Sequence, residues 1–136
     1  MSGRSRALLR VSPLLSAMFL GGCGIGGPAH QAALPNAAGV VDMGLETYNP
    51  TILYIRAGQT VQWRNASIIT HSVTDDSKLA VNPADAVLPA GAPAFNSGDI
   101  SAGNIFTYTF HSPGTYKYFC THHEGMGMVG TVVVAP

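Results

Sequence analysis

The stretch Tyr118-Phe119-Cys120-Thr121-His122-His123-Glu124-Gly125-Met126-Gly127-Met128-Val129-Gly130 decides how this chain is read. One extended run ends at Cys120 and another begins near Met128, so the loop between them can fold back on itself. Cys120, His123 and Met128 lie within nine positions. A thiolate, an imidazole and a thioether on one loop are soft donors, and copper with a weak axial thioether suits such a set. Three ligands on one loop leave the plane around the ion one nitrogen short. His71, at the start of an extended run after Trp63 and Asn65, is the natural supplier. It lies far away in sequence and must reach the ion from across the fold. Each residue also has a bland explanation: Cys120 as a small core hydrophobe, His71 as a strand-end surface residue, Met128 as plain core. The joint pattern favours copper over three coincidences.

Working outward, the chain after residue 40 reads as short strands with turn signals. Thr51 to Ile55 alternates with the period of a half-buried strand. Ala57-Gly58-Gln59 makes a turn. Thr60 to Arg64 alternates again, with Val61 and Trp63 on one face. His71 to Thr74 is a further short extended run. Ile105 to Phe110 and Thr115 to Phe119 suggest a hairpin-like pair across Ser112-Pro113-Gly114. Val129 to Val134 is a last β-branched run, interrupted by Gly130. The stretch from Asp75 to Asp99 carries Pro89, Gly91, Pro93 and Gly98, and reads as loops with a small helical turn or a short strand. No segment of the chain after the leader has a helical period. The fold class expected is therefore all-β, a Greek-key β-sandwich.

The motif Cys120-x-x-His123-x-x-x-x-Met128, with His71-Ser72-Val73 upstream, resembles the plastocyanin/amicyanin branch of the cupredoxins, the blue copper proteins. Gly58-Gln59-Thr60-Val61-Gln62-Trp63-x-Asn65 is similar to the strand that leads to that family's first ligand. Phe95-Asn96-Ser97-Gly98 and Phe110-x-x-x-Gly114-x-Tyr116-x-Tyr118-x-Cys120 resemble its later landmarks. The resemblance covers about Val40 to Pro136. It implies an eight-stranded or similar sandwich and one type 1 copper ion held by His71, Cys120, His123 and Met128. It also implies reversible one-electron transfer. The family spacing selects His123 over the adjacent His122 and Met128 over Met126, which is left on an exposed rim. One departure stands out: many relatives have Asn directly after the first His ligand, where this chain has Ser72. Outer-shell contacts tune loop rigidity and potential, so Ser72 bears on both.

The first residues have another character. Arg4, Arg6 and Arg10 precede a short apolar run from Val11 to Leu20. That run is too short to span a bilayer comfortably and reads as a secretory signal. Leu20-Gly21-Gly22-Cys23 resembles a bacterial lipoprotein signal, which implies lipidation of Cys23 after cleavage. Two acyl chains give stable anchoring. The expected organisation is a signal peptide over 1–22, a lipidated N-terminus and flexible tether over 23–39, and a cupredoxin domain over 40–136. The tether is rich in Gly, Ala and Pro, and His30 within it reads as solvated. Lipid on Cys23 leaves Cys120 without a disulfide partner in an oxidising compartment, which again favours a metal ligand.

Charge narrows the function. The chain has seven Lys and Arg against seven Asp and Glu. Loss of the leader arginines leaves four basic against seven acidic residues, a net of about −3. No basic patch remains, which disfavours nucleic acid as a partner. The acids Asp75, Asp76, Asp85, Asp99 and Glu124 could steer a basic partner or serve only solvation. The function expected is a non-enzymatic electron carrier, a monomer making transient contacts with redox partner proteins. It would be exported, lipid-anchored to a membrane and facing the periplasm or the extracellular side. The alternative is a copper carrier or chaperone that delivers the ion to a cuproenzyme. A copper enzyme would need a second metal set or an open substrate position, and the remaining His residues offer no convincing one.

Overall fold

A computed structural model describes residues 36–136. The expected signal peptide, Cys23, His30 and most of the tether lie outside the described residues. Among the described residues seven strands form two sheets: β1 (Gly39–Met43), β2 (Tyr48–Asn49), β3 (Ile52–Arg56), β4 (Gln59–Asn65), β5 (Ile105–Phe110), β6 (Gly114–Phe119) and β7 (Val129–Ala135). One sheet has the order β2-β1-β4-β5 and the other β3-β7-β6. Among the described residues the only helical pieces are two single 3-10 turns, Pro83–Asp85 and Glu124–Met126. The expected all-β sandwich is what the chain forms, and the 3-10 turn at Pro83–Asp85 is the small helical turn read into the 75–99 stretch.

The two sheets are mixed. β1 runs parallel to β4, and β3 runs parallel to β7. The antiparallel partners are β1 with β2, β4 with β5 and β6 with β7. This corrects one sequence expectation. Ile105–Phe110 and the run ending at Phe119 are not a hairpin: β5 belongs to one sheet and β6 to the other. Ser112-Pro113 therefore carries the chain across the core as an arch, and the Tyr116 hydroxyl pins it by donating to the Ser112 carbonyl at 2.9 Å. A turn signal marks where a strand ends. It does not say whether the next strand pairs with the last or crosses to the opposite sheet.

The same holds at Ala57-Gly58, where β3 of one sheet passes to β4 of the other. Gly58 sits at φ +84°, in the left-handed region that glycine occupies without steric cost. Its N–H bonds the carbonyl of Phe110 in one sheet, and the N–H of Ala57 bonds that of Ala135 in the other.

Strand alternation sorts the side chains. Leu53 and Ile55 of β3 face inward while Ile52 and Tyr54 are exposed. Val61 and Trp63 of β4 are wholly buried, as the alternation predicts, and Gln62 is buried as well. Trp63 is the hub of the core, with ring centres of Tyr118, Phe106, Phe95 and Phe110 between 5.4 and 6.2 Å away. Tilted and edge-on aromatic pairs of this kind each add about 0.5–1.5 kcal/mol beyond area burial. The interruption of β7 by Gly130 has a packing reason. Gly130 pairs with Tyr118 in register, and a Cβ there would stand 2.4 Å from the tyrosine ring. Glycine lets that ring lie flat against β7 and reach the core.

Candidate metal centre

Isolated single-residue bridges set the segments that carry the ligands side by side. Thr74 exchanges backbone hydrogen bonds with Phe119 at 3.1 and 2.9 Å, which ties the 71–74 run to the end of β6. His71 exchanges bonds with Ile100 at 3.1 and 2.7 Å on its other side. The run after Trp63 is thereby laid beside the last residue of β6, and His71 meets Cys120 across 49 positions.

The donor atoms of His71, Cys120 and His123 all lie within 4.8 Å of one another. The Cys120 Sγ is 3.8 Å from His71 Nδ1 and 3.5 Å from His123 Nδ1. The two imidazole centres are 5.0 Å apart. Cys120 and His71 are wholly buried and His123 is half-buried. Met128 is wholly buried in the same core cluster as Cys120. Its carbonyl accepts from the Cys120 N–H at 3.1 Å and its N–H donates to His123 at 3.2 Å, so it closes the loop that carries the other two. Met126 is 61% exposed, on the outer rim. His122 points away from the cluster and bonds Asp99 at 2.7 Å. His111 is exposed.

The surroundings hold these groups ready for a cation. Burial pushes the His71 imidazole below its usual range, and the neighbouring His123 pushes it the same way; the carbonyl of Gly44 opposes them. A neutral imidazole is the ligating form. Behind it, His71 Nε2 bonds the Ser67 Oγ at 2.8 Å, and Ser67 is held by Asn65 Oδ1 at 2.8 Å. Asn65 also donates to the carbonyls of Ile69 and Ile100, which frames the turn that aims His71. A fixed partner on the second ring nitrogen is what orients a ligating histidine.

The thiol has its own partners. The Ser72 N–H donates to Cys120 Sγ at 3.3 Å. The Ser72 hydroxyl accepts from the Thr121 N–H at 2.9 Å and bonds the Thr121 hydroxyl at 2.9 Å. Ser72 thus ties the two ligand-bearing segments together, despite being shorter than asparagine. Tyr48 adds a third tie by donating to the Ser72 carbonyl at 2.6 Å. Burial raises the Tyr48 phenol well above its usual range, with the nearby Cys120 and Tyr118 pushing the same way, so it stays a donor. Sequence reasoning missed Ser67, Tyr48 and Thr121. Thr121 could have been found from its place directly after Cys120; Ser67 and Tyr48 gave no signal.

The acids do not form a steering patch. Asp75 is wholly buried and Glu124 nearly so. Asp85 is paired with Lys117 at 2.8 Å and Asp99 with His122. Asp76 accepts from the Lys78 N–H. Folding spends these charges on capping and pairing.

One thiol, two imidazoles and a buried thioether beside them match the trigonal His₂Cys arrangement with a weak axial Met that copper adopts. The donor set fits a single copper ion. Comparison with known proteins gives the same answer. The sequence profile of the copper binding proteins of the plastocyanin/azurin family matches residues 36–135. The plastocyanin of Prochlorothrix hollandica is 33% identical over 135 residues, covering 92% of each chain. The chloroplastic plastocyanin of Tetradesmus obliquus is 38% identical over 106 residues, covering 73% of this chain and 68% of its own. Among solved structures, a reduced tryptophan-to-tyrosine variant of amicyanin aligns with a TM-score of 0.61 at 28% identity, over 79% of this chain and 90% of its own. The Cu(I) form of another amicyanin variant aligns equally well, at 29% identity. Strand order, donor geometry and sequence profile converge, and the chain belongs to the plastocyanin/azurin family of copper-binding proteins.

Proposed function

We propose that the protein is a mononuclear type 1 copper electron carrier whose ion would be held by His71, Cys120, His123 and Met128. The observation that carries this reading is the contrast in burial. Cys120, His71 and Met128 are sealed in the core, and His123 alone reaches the surface. Copper held there supplies a reversible one-electron couple between Cu(II) and Cu(I). The chain's own residues do the rest. Cys120 and the two imidazoles would hold the ion, and Ser72, Ser67 and Tyr48 keep them from moving. The packed core excludes water, and the edge of His123 offers a short path to a partner pressed against Gly125, Met126 and Gly127. A small apolar surface of this kind suits weak, transient contacts. The same burial speaks against the copper-delivery reading, because a sealed thiol and thioether do not favour exchange of the ion. The protein carries out no chemistry on a substrate.

The N-terminal features extend the proposal. Export by the 1–22 signal, lipid on Cys23 and a 23–39 tether would hold a 40–136 domain at a membrane surface on the periplasmic or extracellular side, as a monomer. Among the described residues no helix is long and apolar enough to cross a membrane. Incorporation of a labelled fatty acid, lost in Cys23→Ala, tests the anchor.

The central test is the visible and EPR spectrum after Cu(II) loading. An intense thiolate-to-copper band that bleaches reversibly on reduction is expected, and Cys120→Ser removes it. Absence of the band, or loss of the ion on reduction, refutes the electron-carrier reading.

A further inference from the structure

We propose that Glu124 is a positioning residue for the metal centre: its buried carboxylate clamps the His123 loop onto the backbone of Val81 and Asn82. The inference deepens the copper reading above and rests on it.

The clamp is bidentate. The Val81 N–H donates to one carboxylate oxygen at 2.8 Å and the Asn82 N–H to the other at 2.9 Å. Bonds to a charged acceptor are roughly twice as strong as neutral ones. Glu124 is only 8% exposed, and among the described residues no lysine, arginine or histidine lies within ion-pair distance of it. A carboxylate buried without a cation is costly unless its lone pairs are satisfied. Here two N–H groups satisfy it, and the adjacent His123 borders the centre that would hold the ion.

The loop needs such an anchor. Its backbone bonds beyond His122 are internal: Met126 and Met128 donate to His123, and Gly127 donates to Glu124. The His122–Asp99 contact is an outward tie, but it is exposed. Glu124 is the buried outward tie of this half of the loop among the described contacts. Its partner segment is itself fastened. The Asn82 side chain caps the Pro83–Asp85 turn through the Ala84 N–H. Lys117 of β6 holds that turn through the Ala84 carbonyl at 2.9 Å and Asp85 at 2.8 Å. An unbroken series of bonds therefore runs from β6 through the turn and Asn82 to Glu124, one residue from His123. The clamp fixes that imidazole from behind, while the buried negative charge favours the more positive oxidation state of the ion.

The test compares wild type with Glu124→Gln, which keeps an acceptor and loses the charge, and Glu124→Ala, which loses both. In the metal-free protein, amide hydrogen exchange reads the clamp without copper. Glu124→Ala is expected to speed exchange at Val81, Asn82 and residues 123–128 more than tenfold, and Glu124→Gln less. In the copper-loaded protein both variants should raise the potential. At a fixed applied potential the Cu(I)-to-Cu(II) ratio should rise about three- to tenfold, tenfold being about 59 mV for one electron. Glu124→Ala should also broaden the EPR signal. Unchanged exchange overturns the proposal. So does faster exchange with unchanged potential and spectrum, which would leave Glu124 a merely structural residue. If Glu124→Ala does not fold, the exchange and potential of Glu124→Gln decide the matter. If wild type shows no thiolate-to-copper band, the copper reading fails, and metal-free exchange still decides the clamp.

Discussion

Asp75→Asn should flatten the pH dependence of stability. Asp75 is wholly buried; one carboxylate oxygen accepts from the Phe95 N–H at 2.7 Å, and the other has no hydrogen-bond partner among the described residues. Burial raises its pKa from 3.8 to about 6, opposed by the backbone N–H groups of Phe95 and of Asp75 itself and reinforced by the neighbouring Asp76. Burial raises the phenols of Tyr108 and Tyr116, and the charge of Asp75 pushes them the same way. Because the folded state binds this proton more tightly than the unfolded chain, stability is highest when the group is protonated in both states. It falls as pH rises from about 3.8 through about 6. A shift of some two units corresponds to about 3 kcal/mol lost across that window, at 1.36 kcal/mol per unit. In Asp75→Asn this loss is absent. Urea unfolding of wild type and variant at matched pH between 4 and 7.5 measures it, and taking the difference cancels the histidines common to both. The variant is expected to gain on wild type by about 2.4 kcal/mol between the ends of the range. Parallel profiles would refute the burial argument.

Gly130→Ala places a methyl 2.4 Å from the Tyr118 ring, which is packed between Tyr48 and Trp63. A loss of about 1–3 kcal/mol in chemical denaturation is expected, with altered near-UV circular dichroism. Ser72→Ala removes both hydroxyl bonds to Thr121. It should cost about 1–2 kcal/mol and broaden the EPR signal of the copper-loaded protein, because the Thr121 N–H loses its acceptor. Met126→Leu should keep the visible spectrum, whereas Met128→Leu should change it; the reverse result would reassign the axial ligand. Asp42→Asn breaks the exposed bidentate pair with Arg64 across β1 and β4. A loss of no more than about 1 kcal/mol, shrinking in high salt, is expected from thermal unfolding.

Much of the site was legible from the loop itself. Soft donors at a fixed spacing between two β-branched or aromatic runs leave few other readings, and ligand softness is a property of residue type. Burial could be read where one face of a strand alternates cleanly, as at Val61 and Trp63. It could not be read for acids. Asp75 and Glu124 are charged and would be placed in water by type; their burial depends on backbone N–H groups of Phe95, Val81 and Asn82, brought near only by folding.

By itself, then, the sequence determined the strand class, the chemistry of the donor set and its attachment to the loop between Cys120 and Met128. Those rest on local periodicity and on the atoms each side chain carries. Tertiary structure alone decided which strands pair and which residues stand behind the ligands. β5 and β6 separate into opposite sheets because the arch at Ser112-Pro113 crosses the core, and no local pattern distinguishes an arch from a hairpin. Ser72 reaches Cys120, and Tyr48 reaches Ser72, because the Thr74–Phe119 bridge lays distant segments side by side. Contacts made across dozens of residues depend on the packing of the whole sandwich, and a linear pattern holds no record of them.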